Sequence, residues 1–250
     1  MYIENIKMKK NISLWLLFNY FLLSIMIVVG GLTRLTDSGL SITQWELFSG
    51  ILPPFSNIEW QTYFNLYKEI PEFKLQNFDM SLSEFKIIFW WEWFHRFFAR
   101  CIGIVFILPF IYFSLKRKIS KKLFLTLFLV FLFGIFQAII GWWMVKSGLS
   151  DDPYVSAYRL AFHLTNALII FAILFWATLN SFSLTIKKNK LNLIIALSFY
   201  FGLFLLFVTI ISGAFMAGTH AGNSYNTFPL MNGQIIPDGY FINEYRFFNI

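Results

Sequence analysis

Five apolar runs, each long enough to cross a bilayer, leave this 250-residue chain little choice of fold. A helix needs about 20 residues to span the hydrocarbon core. The runs cover roughly 12–32, 97–115, 123–145, 158–181 and 191–217. Inside a bilayer the backbone must satisfy its own hydrogen bonds, so runs of this length read as helices. The sequence predicts an all-α polytopic membrane protein. Composition supports this: 58% of residues are hydrophobic, 13% are charged and the mean hydropathy is +0.63. That is more apolar surface than a water-soluble fold can hide.

The net charge of +7 does not point to nucleic acid, because the basic residues are not spread over one face. They stand in short clusters beside the apolar runs. Lys7, Lys9 and Lys10 precede the first; Lys116, Arg117, Lys118, Lys121 and Lys122 separate the second and third; Lys187, Lys188 and Lys190 separate the fourth and fifth. The other connections hold most of the acids, among them Glu46, Glu59, Glu69, Glu72, Asp79, Glu84, Asp151 and Asp152. The positive-inside rule then places the N-terminus in the cytoplasm and the acidic loops outside. Five spans carry the C-terminus outside as well. The first run is too long for the apolar segment of a cleavable signal peptide and lacks a small-residue cleavage site. The single cysteine, Cys101, excludes an intrachain disulfide and a paired-cysteine metal or redox site.

The connection 33–96 is too long for a plain linker. Its "PPF" and "IPEF" turns and alternating aromatics predict short helices lying on the outer face. It also opens a repeat: "GGLTRLTDSGLSITQWELFSGILPP" from Gly30 aligns with "GAFMAGTHAGNSYNTFPLMNGQIIP" from Gly213. At this offset of 183, Gly30/Gly213, Thr36/Thr219, Gly39/Gly222, Ser41/Ser224, Leu47/Leu230, Gly50/Gly233 and Pro54/Pro237 coincide, and Trp45 matches Phe228. Chance likeness of two glycine-rich loops is the plain reading. A duplicated four-helix unit is the sharper one. The expected organisation is one complete four-helix bundle over 1–185, including outer loop 33–96. Residues 186–250 then begin a second bundle with one span and one loop, incomplete in this chain.

Three histidines are present: His95, His163 and His220. His95, in "WWEWFHRFFAR", stands at the outer end of span two, and His163, in "YRLAFHLTNA", just inside the outer end of span four. The two spans run in the same direction, so the imidazoles share a depth. An ionisable side chain within a span is a functional candidate. Two at matched depth on two helices are the layout of a bis-histidine haem site in a bundle core. Ala99 and Gly103 follow His95 at i+4 and i+8, and Asn166 and Ala167 follow His163 at i+3 and i+4. Gly134, Gln137 and Gly141 form a small or polar stripe on span three. Plain helix packing and structural hydrogen bonding are the alternatives. Glu92, at i−3 from His95, can orient the imidazole or accept a proton from bound substrate; otherwise it is a solvated acid at the membrane surface. Arg96, Arg100 and Arg34 are candidates for carboxylates such as haem propionates, and the first two could instead pair with Glu92. His220 is a weak candidate, because its repeat counterpart is Asp37.

Five stretches carry a family resemblance: "GGLTRLTDSGLSITQWELFSGILPP", "EWQTYFNLYKEIPEFKLQN", "MSLSEFKIIFWWEWFHRFFARCIG", "QAIIGWWMVKSGL" and "YNTFPLMNG". Together and in order, they resemble haem A synthase of the alphaproteobacterial and mitochondrial type. The resemblance implies an eight-helix enzyme of the bacterial inner membrane, built from two four-helix bundles. It implies oxidation of the C8 methyl group of haem O to the formyl group of haem A, for cytochrome c oxidase assembly. Histidines matching His95 and His163 would hold the substrate iron, with the glutamate matching Glu92 close by. Haem b would sit between two further histidines in later spans, so its site is expected to be mostly missing from this chain. The implied partners are the lipid bilayer, haem O synthase as donor, and a second polypeptide or another copy of the chain to complete the enzyme. The family's cysteine-pair branch is not matched. The competing expectations are a bis-histidine membrane cytochrome that carries electrons or haem, and an inactive remnant.

Overall fold

A computed structural model describes residues 2–45, 49–150, 152–182, 192–223, 227 and 229–236. Among them, helices α1 (Tyr2–Leu35), α4 (Leu82–Leu115), α5 (Lys121–Ser147), α6 (Ala157–Ser181) and α7 (Leu193–Gly218) are long and apolar enough to cross a membrane. Short helices α2 (Asn57–Lys68) and α3 (Pro71–Leu75) lie between α1 and α4. The protein is therefore an all-α multi-pass membrane protein. Asp151, Lys187, Lys188, Lys190 and the repeat positions Glu46, Leu47, Ser224, Phe228 and Pro237 lie outside the described residues.

Helix α4 starts far earlier than its apolar run, taking in residues 82–96 that the sequence assigned to a loop. The reason is a capping box: Ser81 Oγ accepts from Glu84 N, and the Glu84 carboxylate accepts from Ser81 N at 2.8 Å. No helix breaker follows until Pro109. At 34 residues α4 is about 50 Å long, well beyond a hydrocarbon core of about 30 Å. Its extra turns stand proud of the membrane and receive α2, itself started by a Ser56–Glu59 capping box.

Two apolar clusters result. One fills the lysine-rich end of the bundle with Trp15 and Leu16 of α1, Phe106, Phe110 and Phe113 of α4, Leu127 and Val130 of α5, and Ile170 and Leu174 of α6. The other joins the α4 extension to the loop elements through Trp60, Phe64, Tyr67, Phe85 and Phe89. Within this cap Glu72 is buried, and burial pushes its carboxyl up to about 8. The Tyr67 hydroxyl donates to it at 3.2 Å and Asn77 donates to the Tyr67 oxygen at 2.8 Å. Around the bundle α1 packs on both α4 and α6, and α5 packs on α6, whereas α4 and α5 touch only lightly. Helix α7 docks on α6 where Gly218 meets Ala157; a Cβ at Gly218 would lie 2.7 Å from the Ala157 Cα.

The ends of α1 and α7 repeat each other at the offset of 183. Thr36 donates from its backbone N–H and Oγ1 to Leu32 O at 3.0 and 2.9 Å. Thr219 does the same to Phe215 O at 2.9 and 2.8 Å. The next residues, Asp37 and His220, both turn into the left-handed region at φ 46° and 52°. Arg34 donates to the carbonyl of Ala217, its own counterpart at that offset. The two helix ends thus share their closing bonds and turns.

Pro109 interrupts the α4 ladder, because it lacks the N–H that the Val105 carbonyl would accept. The indole Nε1–H of Trp15, from α1, donates to that carbonyl at 2.9 Å. A helix fault and its repair thus lock α1 to α4. Trp15→Phe should destabilise the solubilised protein by about 1–3 kcal/mol, the cost of an unsatisfied buried carbonyl. Adding Pro109→Ala, which restores the backbone donor, should recover part of the loss in thermal unfolding. Equal losses with and without Pro109→Ala would contradict the pairing.

Candidate functional site

Neither apolar cluster extends into the zone between them, and both candidate ligand histidines lie there. His95 projects from α4 just past Trp93, a residue packed against the cap cluster. Its ring lies against Gly30 of α1, where a Cβ would stand 3.6 Å from His95 Nε2. His163, on the second turn of α6, lies against Gly141 of α5, where a Cβ would stand 3.1 Å from His163 Cε1. A side chain at Gly30 would make ordinary contact, whereas one at Gly141 would press on the imidazole. Each histidine thus has a glycine of a neighbouring helix beside its ring, Gly30 of α1 for His95 and Gly141 of α5 for His163.

Polar side chains from α5 and α6 surround His163. Asn166, only 3% exposed, donates to Gln137 Oε1 at 2.6 Å and to Phe133 O at 3.2 Å. Gln137 Nε2 lies 3.1 Å from His163 O and 3.2 Å from His163 Nε2. His163 Nδ1 is buried with no hydrogen-bond partner. Such an unpartnered buried nitrogen needs a reason in a membrane interior, where water cannot supply a bond. Two imidazoles, one from α4 and one from α6, would suit the iron of a haem. The residues present fit such a group.

Glu92 is 2% exposed, which removes the alternative of a solvated surface acid. Its Oε2 accepts from Ser41 Oγ and from the Ile42 backbone N–H, both at 2.7 Å. Its Oε1 accepts from Arg96, at 2.9 Å from Nε and also through the terminal nitrogen. Arg96 donates further to Ile42 O at 3.0 Å. The pair therefore clamps the segment after α1 onto α4, one turn from His95. Arg96 and Arg100 line a cleft with Trp93, Tyr63 and Phe89. Arg34 turns toward α7 instead: it pairs with Asp37 at 2.6 Å and meets His220 Nε2 at 2.8 Å. His220 also packs on Tyr154, with ring centroids 4.5 Å apart. Sequence reasoning missed Ser41 and Ile42 as partners of Glu92, because nothing local signals a contact some fifty residues away.

Breaking a buried ion pair on one side costs about 3–5 kcal/mol. In Glu92→Ala, amide hydrogens of residues 38–45 should exchange markedly faster by mass spectrometry. Glu92→Gln keeps an acceptor oxygen and should retain most of the protection. Unchanged exchange in Glu92→Ala would contradict the clamp.

Comparison with known proteins agrees with these features. The COX15-CtaA family profile, described as cytochrome oxidase assembly protein, matches residues 13–250. The haem A synthase of Parvibaculum lavamentivorans is 49% identical over 230 residues, covering 92% of this chain and 66% of that protein. The haem A synthase of Wolbachia pipientis wMel is 46% identical over 243 residues, covering 96% of this chain and 69% of that protein. That of Maricaulis maris is 49% identical over 232 residues, covering 92% and 67%. The chain thus spans about two thirds of the length of these relatives. No solved structure matches it. With this identity sustained over nearly its whole length, the chain belongs to the haem A synthase family.

Proposed function

We propose that this chain acts in haem A biosynthesis, binding haem O and taking part in oxidation of its C8 methyl group to a formyl group for cytochrome c oxidase. The observation that carries this reading is the histidine pair between the two apolar clusters, each ring lying against a glycine of a neighbouring helix. His95 and His163 hold the substrate iron from α4 and α6. The apolar walls of α1, α4 and α5 keep water from the ring, and Arg96 and Arg100 at the neighbouring cleft are the cations placed for propionates. Turning a methyl into a formyl group takes one oxygen atom from water and releases protons to a base and electrons to a redox partner. Glu92 is the carboxylate placed to accept a proton, and Arg96 stabilises its charge.

In this proposal the histidine site faces the outside of a bacterial inner membrane, since the lysine clusters before α1 and between α4 and α5 lie at the opposite end. Residues 1–185 form the substrate bundle and 186–250 begin the second unit. Haem O synthase is the donor.

The test is co-expression with a haem O source, followed by analysis of the haems extracted from purified protein. The wild type should carry haem O or haem A, His95→Ala and His163→Ala should lose at least tenfold of it, and Glu92→Gln should keep haem O but yield no haem A. Haem retained in both histidine variants would sink the ligand assignment. Reversible redox absorbance with no haem A from any variant or the wild type would favour an electron carrier.

A further inference from the structure

The side-chain amides beside His163 have only one permitted orientation. Phe133 O is a backbone carbonyl and can only accept, so the end of Asn166 that faces it is the amine. That amine also donates to Gln137, which makes the facing Gln137 atom its oxygen. His163 O, a second backbone carbonyl, independently requires the Gln137 amine on its side. The same amine reaches His163 Nε2 at 3.2 Å. An amide nitrogen donates and does not accept, so Nε2 carries the lone pair of the neutral ring and Nδ1 carries the proton. This is also the tautomer an imidazole needs to bind iron through Nε2.

We propose that Gln137, oriented by Asn166, is a placeholder for substrate iron: it holds the His163 lone pair in the iron-free protein and yields it when haem binds. The inference rests on the reading of His163 as an iron ligand. Gln137 is a positioning residue, because it acts on iron only through the ring. Its bond to His163 O keeps the amide in place after the ring is released, so the exchange needs no helix movement. Asn166 is the anchor, and its burial leaves Gln137 no second orientation. The frustrated Nδ1 is the cost of keeping the ring in this tautomer.

The prediction has opposite signs for two substitutions of one residue. Haem O is titrated into the detergent-solubilised full chain, and association is followed by Soret absorbance. Gln137→Leu removes the competing donor, and haem O should bind roughly two- to tenfold faster or tighter, the value of one net hydrogen bond. Gln137→Glu presents an acceptor to Nε2, draws the ring proton there, and should slow association by at least a similar factor. The spectrum of haem-loaded Gln137→Leu should match the wild type, because the amide is not a ligand. If Gln137→Leu does not elute as a folded species, Gln137→Met carries the same prediction. Weaker binding in the apolar variants, or a shifted spectrum once loaded, would overturn the proposal by marking Gln137 as an ordinary structural or ligating group. A wild-type spectrum in His163→Ala would instead overturn the ligand reading, and this inference with it.

Discussion

Hydrocarbon offers no hydrogen bonds, so every polar group placed among these helices must find its partner in the protein. The organisation of the bundle follows from that requirement. The carbonyl freed by Pro109 is met by the Trp15 indole, which ties α1 to α4. The Asn166 amide is met by Gln137 and by the α5 backbone, which ties α5 to α6. Glu92 is met by Ser41, Ile42 and Arg96, which brings the loop back over α4. Each bond crosses between elements, and together they surround a zone that the two apolar clusters leave to His95 and His163. Among the described residues His163 Nδ1, Asn19 Oδ1 and Trp93 Nε1 are buried without such a bond.

The spans were legible because a bilayer-length apolar run has one solution, and the histidine pair was legible because helix direction converts sequence position into depth. The start of α4 was not read. Residues 82–96 mix charges with aromatics and so resemble a surface loop, while the decisive signal was the four-residue capping box at Ser81. The surroundings of the histidines were read only in part. Gly141, which touches the His163 ring, stood in the small or polar stripe read on span three, whereas Gly30, which touches the His95 ring, was read only as a repeat position, and Ala99 and Gly103 were the small residues named beside His95. Periodicity describes one helix at a time and carries no record of which helix faces it. The burial of Glu92 was hidden for the same reason, since its partners come from another segment of the chain.

The repeat gains physical content from the helix ends. Hydroxyl and backbone bonds of Thr36 and Thr219 recur at one offset, and so do the left-handed turns at Asp37 and His220, although those two residue types differ. Arg34 lies between these counterparts, bonded to Asp37, His220 and Ala217. A cation that the sequence offered for a cofactor thus stands between the ends of α1 and α7. Glu92 and Arg96, by contrast, stay with the histidines and couple the loop to the site, so that loop docking and the electrostatics near His95 depend on one ion pair.

The central claim is that His95 and His163 grip one iron from two helices. Electron paramagnetic resonance of the full chain loaded with ferric haem O tests it most directly. The account predicts a low-spin signal characteristic of two imidazole ligands in the wild type, and a high-spin signal in both His95→Ala and His163→Ala. A high-spin wild type, or a low-spin signal that survives either substitution, would contradict it.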